Sequence, residues 1–320
     1  MKVIGLLKYG GPEVLETIEI KEPHAGPGEV RVRVHAAGIN PADVMLREGE
    51  LHDFYPGVEP PFVPGMDISG TIDEIGDNVD ITNGLTLGDA VVGIVDNYGS
   101  YGGYSEYVVL PASSVTQKPT GSTFSEAASF LMNALTARCA LDAFGLKPGA
   151  TLLVTGAAGG FGGYVTQLAA SEGLRVIAVA SERDEALLRS FGADTMITRT
   201  DDEELVQRIL AIVPEGVEAV ADGALLHERI APAIRNNGQI AVVRFWESNP
   251  GRGIKIHPIN VRPRAIDHAA ITGLREQVES GVLTTRVAAT FPVAEAVDAH
   301  RLLDQGGLRG RIILEFNEPE

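Results

Sequence analysis

Gly149-Ala150-Thr151-Leu152-Leu153-Val154-Thr155-Gly156-Ala157-Ala158-Gly159-Gly160-Phe161-Gly162-Gly163-Tyr164 decides the reading of this chain. A short apolar run passes into small residues and then into a helical stretch over 164–172. Strand, glycine turn and helix in that order build a pocket for a pyrophosphate. Glycines let the backbone turn tightly and approach the ligand, and the helix N-terminus aims N–H groups at its charge. Aligned on G-x-G-x-x-G, the turn reads Ala157-Ala158-Gly159-Gly160-Phe161-Gly162, with Ala157 in the first glycine's place and Gly156 just before it. Those six residues are the candidate cofactor-binding turn.

Strand and helix alternate from this point onward. Strands are expected at 151–155, 176–180, 195–198, 217–221 and 239–245, with helices over 184–190, 203–213 and 226–234. That alternation predicts a parallel sheet with crossover helices. A helix over 125–144, capped by Ser125 and stopped by Gly145, precedes it. The earlier residues read differently. Val30-Arg31-Val32-Arg33-Val34-His35 alternates with period two, and further strands are expected at 68–75, 90–95 and 104–110, punctuated by Gly and Pro. Many short strands predict a small barrel. Helices near 265–280 and 294–304 and a strand over 310–315 return the chain to this first domain. The fold class is α/β: a mostly-β domain over 1–122 completed by 263–320, and a doubly wound, dinucleotide-binding domain over 123–262.

Composition narrows the partners. The 44% hydrophobic and 22% charged shares of the 320 residues are those of a globular protein. A net charge of −17 argues against nucleic acid and against anionic membranes. No apolar run has bilayer length, and Met1-Lys2-Val3-Ile4-Gly5 does not read as a signal peptide, so the expectation is a cytoplasmic protein without a membrane partner. The single cysteine, Cys139, excludes an internal disulfide and a multi-cysteine zinc site.

The coenzyme is chosen at the end of the second strand of the nucleotide domain. A carboxylate there accepts from the ribose hydroxyls of NAD. Here the place holds Ala180-Ser181-Glu182-Arg183. Ser181 and Arg183 suit a 2′-phosphate, which predicts NADPH. The alternative is that Ser181 only caps a helix and Arg183 is a solvated charge.

Several further segments accompany the glycine turn: Ala36-Ala37-Gly38-Ile39-Asn40-Pro41-Ala42-Asp43, Pro64-Gly65-Met66-Asp67-Ile68-Ser69-Gly70, Gly88-Asp89-Ala90-Val91, Gly102-Gly103-Tyr104-Ser105-Glu106-Tyr107-Val108, Leu135-Thr136-Ala137 and Gly310-Arg311-Ile312-Ile313-Leu314. In this order and spacing the chain resembles the zinc-independent, quinone oxidoreductase-like branch of the medium-chain dehydrogenase/reductase superfamily. The resemblance implies a GroES-like catalytic domain, a Rossmann domain and assembly as a dimer or tetramer, of which a homodimer is expected. It places Thr136 close to the nicotinamide and Asn40 beside it; the other readings are a helix hydroxyl bonded to the preceding turn and a side chain bonded in a turn before Pro41. In zinc-dependent relatives a cysteine occupies the place of Asn40, and Gly-His-Glu occupies that of Gly65-Met66-Asp67. No metal site is therefore expected. Many members carry tyrosine where this chain has Met45.

No tyrosine here has a lysine four residues on, so the short-chain Tyr-x-x-x-Lys device is absent. Hydride transfer to a quinone or an α,β-unsaturated carbonyl asks only for donors near the developing oxyanion. The expected substrate is a small apolar electrophile. The aromatic residues Phe54, Tyr55, Tyr98, Tyr101 and Trp246 are candidate lining. Asn40 is the candidate catalytic residue. The alternatives are an enoyl-thioester reductase and a non-catalytic NADPH-binding protein.

Overall fold

A computed structural model describes residues 1–79, 84–97 and 101–316. It divides into two units: Met1–Met132 with Arg262–Glu320, and Asn133–Val261. In chain order the first stretch carries strands β1 (Lys2–Gly5), β2 (Glu16–Glu19) and β3 (Glu29–Ile39), helix α1 (Pro41–Glu48), strands β4 (Asp67–Ile75), β5 (Ala90–Ile94), β6 (Tyr107–Pro111) and β7 (Val115–Gln117), and the single turn α2 (Phe124–Ala127). Then come α3 (Leu131–Phe144), β8 (Thr151–Thr155), α4 (Gly160–Ser171), β9 (Arg175–Ala180), α5 (Glu185–Ser190), β10 (Thr195–Thr198), α6 (Asp202–Ile212), β11 (Val217–Asp222), β12 (Ile234–Val242) and β13 (Lys255–Pro258). The chain closes with α7 (His268–Glu279), β14 (Val287–Pro292), α8 (Ala296–Gln305) and β15 (Arg311–Glu315).

The first unit is organised on β3. Its alternation of buried and part-buried residues over 29–35 is the predicted period of two, and from Ala36 onward every residue is buried. The change has a topological cause. β4 runs antiparallel along one edge of β3, while β6 pairs with its first half and β15 with its second half on the other edge. A seven-stranded sheet results, in which the late strands β14 and β15 complete the early ones. Its apolar core joins Val30, Val32, Ile39, Ile68 and Tyr104 to Ala299 and Ile312 from the chain's end.

The second unit is a six-stranded, wholly parallel sheet in the order β10-β9-β8-β11-β12-β13. The glycine turn leaves the C-terminal end of the central strand β8, where such sheets bind ligands. All five residues of β8 are buried, as a strand covered on both faces requires.

Three expectations change. The helix over 226–234 is instead two 3-10 turns, His227–Arg229 and Ala231–Ala233, because Leu225 and His227 take positive φ and Pro232 denies the chain an amide donor. The helix over 125–144 is broken between α2 and α3. Its cap is Thr123 rather than Ser125: Thr123 accepts from the Glu126 N–H, and Glu126 reaches back. The strand over 239–245 is instead β12 over Ile234–Val242, and β1, β2, β7, β13 and β14 are additional.

Candidate functional site

In the second unit the turn leaves β8 at Gly156, whose φ of +60° suits a residue without Cβ. This explains the displaced fingerprint. The position needing a glycine is Gly156, so Ala157 can be a buried methyl whose N–H donates to the Val179 carbonyl of β9 at 3.1 Å. Ala158 is buried with it, while Gly159, Gly160 and Phe161 are part-exposed and form the lip. Gly159 is the N-cap of α4 and provides no side-chain cap. A Cβ on Gly162 would lie 2.5 Å from the Gly156 carbonyl oxygen, so this glycine lets helix and turn close on each other. Such a helix start, with glycine at its cap and at three of its first four positions, fits a pyrophosphate.

The opposite wall of the turn escaped sequence reasoning. Asp222, fully buried at the end of β11, accepts from the Thr155 hydroxyl at 2.6 Å and from the His227 N–H at 2.7 Å. The Ala224 N–H donates in turn to the Thr155 hydroxyl at 3.1 Å. The loop after β11 is thereby pinned to the strand that launches the glycine turn. A Thr ending one strand and an Asp ending another are a weak signal, because their pairing depends on sheet order.

At the end of β9, Ser181 begins a 3-10 turn over Glu182–Asp184, and its hydroxyl makes no capping bond. Glu182 and Arg183 are exposed, and Arg183 makes no ion pair among the described residues. Arg199, just after β10, donates its N–H to the Ala180 carbonyl at 2.7 Å, and its exposed guanidinium also has no ion pair among the described residues. Sequence reasoning missed Arg199, although its place one residue beyond a strand end was a usable signal. Thr136 lies half-buried on α3. Tyr164 is buried within α4.

In the first unit, Asn40 is the N-cap of α1, which begins at Pro41. Asp43, fully buried, accepts from the Asn40 N–H at 2.7 Å and from the Gly65 N–H at 2.7 Å. The Asn40 carboxamide turns elsewhere. Its Nδ2 donates to Asp67 Oδ2 at 3.2 Å and approaches the Gly38 carbonyl at 3.5 Å. Asp67 Oδ1 accepts from the Met132 N–H at 2.7 Å. Arg311, at the start of β15, donates to the Ile39 carbonyl at 2.9 Å, and its Nε and Nη2 are buried without a hydrogen-bond partner. Burial pushes Asp43 up to about 7 against the pull of its two backbone donors, and Asp67 up to about 6 against the pull of Arg311.

A cavity of about 330 Å³ lies beside the C-terminal part of α1, its lining including Leu46, Tyr9, His52, Tyr55, Asn97 and Tyr101. Tyr9 stacks on Phe62 with ring centroids 5.0 Å apart, and its hydroxyl meets His52 Nδ1 at 3.1 Å. The Tyr55 hydroxyl donates to Asn97 Oδ1 at 2.9 Å, and burial pushes its pKa up to about 12. Of the aromatic residues singled out in the sequence, Tyr55 and Tyr101 line this cavity. Phe54 is exposed, Trp246 stacks on His227 in the second unit, and Tyr98 lies outside the described residues. No helix among the described residues is long and apolar enough to cross a membrane.

Comparison with known proteins agrees with both units. Residues 26–120 match the family described as alcohol dehydrogenase GroES-like domain, and residues 191–314 the family described as zinc-binding dehydrogenase. Among curated relatives, the human synaptic vesicle membrane protein VAT-1 homolog-like is 34% identical over 227 residues, covering 69% of this chain and 50% of that protein. The chain thus spans about half the length of that relative. The quinone oxidoreductase of Sus scrofa is 25% identical over 329 residues, covering 98% of this chain and 97% of that one. Two solved structures are similar throughout. An NAD-dependent alcohol dehydrogenase has a TM-score of 0.85 and 30% identity, covering 99% of this chain and 100% of that chain. A mycobacterial protein complexed with NADPH has a TM-score of 0.86 and 29% identity, covering 98% and 100%.

Proposed function

The chain belongs to the quinone oxidoreductase branch of the medium-chain dehydrogenase/reductase superfamily, and on that premise we propose that it is an NADPH-dependent oxidoreductase passing hydride to a quinone or an α,β-unsaturated carbonyl compound. The observation that carries the coenzyme assignment is the end of β9. A hydroxyl without a capping bond and two exposed arginines without ion pairs among the described residues, Arg183 and Arg199, stand at adjacent strand ends in a chain of net charge −17. Guanidinium groups suit a 2′-phosphate, whereas an NAD site wants an acceptor there. The lip of Gly159, Gly160 and Phe161, supported from beneath by Ala157, Ala158 and Gly162, holds the pyrophosphate. Thr136 is assigned to the nicotinamide end. When bound, the coenzyme supplies the hydride.

The residues at the zinc ligands' places do not fit that metal. The Asn40 amide is committed to Asp67, the Asp67 carboxylate is taken by two donors, and Met66 is a buried thioether. Our reading therefore routes no step through a metal. A conjugated acceptor is the substrate class that suits this, since charge delocalised onto its oxygen is quenched by hydrogen-bond donors and a solvent proton. The aromatic cavity beside α1 has room for such a planar, apolar molecule. We take the protein to act as a cytoplasmic homodimer, with neither nucleic acid nor membrane as partner.

The test starts with the quenching of Trp246 fluorescence by NADPH and NADH. At least tenfold tighter binding of NADPH is expected, reduced by Arg183→Glu; equal affinities overturn the coenzyme assignment. NADPH oxidation is then followed with a panel of quinones, enals and enones. Tight NADPH binding without turnover of any of them overturns the oxidoreductase reading.

A further inference from the structure

We propose that Asn97 is the residue of the aromatic cavity that recognises a ligand's carbonyl oxygen: its side-chain NH2 group, held toward the cavity by the Tyr55 hydroxyl, donates to that oxygen. Tyr55 is a positioning residue that acts through Asn97. The ligand class deepens the oxidoreductase reading and rests on it, because a quinone or an enone carries the acceptor oxygen that such a donor selects.

An unspent donor stands in a built site. Asn97 is only 5% exposed and lines the cavity, yet its Nδ2 keeps accessible surface and makes no hydrogen bond among the described residues. A carboxamide nitrogen so placed has two hydrogens to satisfy, and a ligand or a water must take them.

The orientation comes from Tyr55. Its hydroxyl donates to Asn97 Oδ1 at 2.9 Å, and burial pushes its pKa up to about 12, so it remains a donor at neutral pH. With the oxygen held there, the nitrogen on the other arm of the planar amide is left for a ligand. Both residues are braced by one arginine. Arg262 donates to Asp96, the residue before Asn97, at 3.0 Å, and its guanidinium carbon lies 5.9 Å from the centre of the Tyr55 ring. One residue earlier, the Val95 N–H donates to the Met66 carbonyl at 3.0 Å.

The remaining wall selects a flat, neutral molecule. Tyr9 and Phe62 stack with planes 13° apart and, with Leu46, offer apolar surface to a ring system. The Tyr9 hydroxyl and His52 Nδ1 meet each other at 3.1 Å. Glu59, also in the wall, disfavours a carboxylate, so the acceptor that Asn97 meets is an uncharged carbonyl.

The test uses the whole 15N-labelled protein and two probes of one frame, 1-indanone and indane, which differ by the carbonyl oxygen. From the shifts of the protein's resonances, 1-indanone should bind at least about tenfold better than indane. It should also move the Asn97 side-chain NH2 pair, identified by its loss in Asn97→Asp. In Asn97→Asp, which keeps an acceptor for Tyr55 and loses the donor, the preference should vanish while indane still binds; Asn97→Leu repeats the comparison without a charge. Tyr55→Phe should reduce the preference, and an unchanged preference there overturns the positioning role. Equal binding of the two probes to the wild type, or a preference retained in both Asn97 variants, overturns the recognition role. So does a failure of both probes to bind, since the cavity then holds no such ligand. None of these outcomes needs coenzyme or turnover. The panel of quinones, enals and enones decides the oxidoreductase reading separately, and where it shows turnover the KM should rise at least about tenfold in Asn97→Asp.

Discussion

Replacing His300 tests the densest piece of buried chemistry in the first unit. Arg47 on α1 is fully buried, and its Nη1 lies 3.1 Å from His300 Nδ1 on α8. A guanidinium only donates, so Nδ1 must be the acceptor and the proton must sit on Nε2. That N–H points at the buried Tyr104 hydroxyl, 3.0 Å away. Burial, with the Arg47 charge beside it, drives the His300 pKa down to about 3. In His300→Leu the buried cation loses an acceptor and the Tyr104 oxygen loses a donor. A hydrogen bond to a charged group contributes about 1.5–3 kcal/mol and a neutral one about 1, so the loss should total about 2.5–4 kcal/mol. His300→Asn keeps an oxygen that can accept from Arg47 while giving up Tyr104, and should cost only about 1–2 kcal/mol. Urea unfolding followed by far-UV circular dichroism separates the two. With a slope of about 2–3 kcal/mol/M the leucine variant should lose about 0.8–2 M in midpoint. Equal losses in the two variants, or a His300 ring that is charged at pH 6 by NMR, would refute the assigned tautomer. The sign with pH also follows. The folded value lies below the ordinary 6.5, so the stabilisation is complete above about pH 6.5 and is lost as pH falls toward 3. His300→Leu should remove that part of the acid limb.

The Asp43 and Asp67 pair acts in the opposite sense. Its folded values of about 7 and about 6 lie above the ordinary 3.8, so its contribution is whole below about pH 4 and fades as pH rises through 6 to 7; Asp43→Asn should flatten that fall in a profile of Tm against pH. In the glycine turn, Gly162→Ala should cost about 1–3 kcal/mol and weaken NADPH binding, because its Cβ meets the Gly156 carbonyl oxygen at 2.5 Å. Gly159→Ala, whose nearest contact is 3.1 Å, should be the milder change by denaturation and by coenzyme titration. Removing α8 and β15 should leave residues 1–132 without a cooperative unfolding transition by calorimetry, since Arg47 loses His300 and the late half of β3 loses a strand partner.

What could be read from the sequence was what depends on neighbours in sequence. The buried run of β8, the alternation in β3 and the glycine turn each carry their period or their backbone demand within a few residues. The choice of cap for α2 was also local, yet Ser125 drew attention while the reciprocal pair Thr123 and Glu126 began two residues earlier. The turns at 226–234 failed for a different reason. Leu225 and His227 take φ of +57° and +54°, which nothing in their side chains announces; the Asp222 carboxylate that receives the His227 N–H comes from the end of the preceding strand.

The residues that organise the site were hidden because their partners are remote. Arg47 and His300 are 253 positions apart, and on helices rich in charge either one reads as a solvent-facing residue. Arg311 was noticed only as part of the run from Gly310 to Leu314. Its physical task is to donate to the carbonyl of Ile39, the residue before Asn40, while β15 supplies a partner for residues 36–39 of β3. The end of the chain thus fixes the backbone from which Asn40 projects, and Asp67 fixes its amide. Side-chain identity gave the candidate. The direction of its hydrogen bonds, which decides what it can do, belongs to the fold.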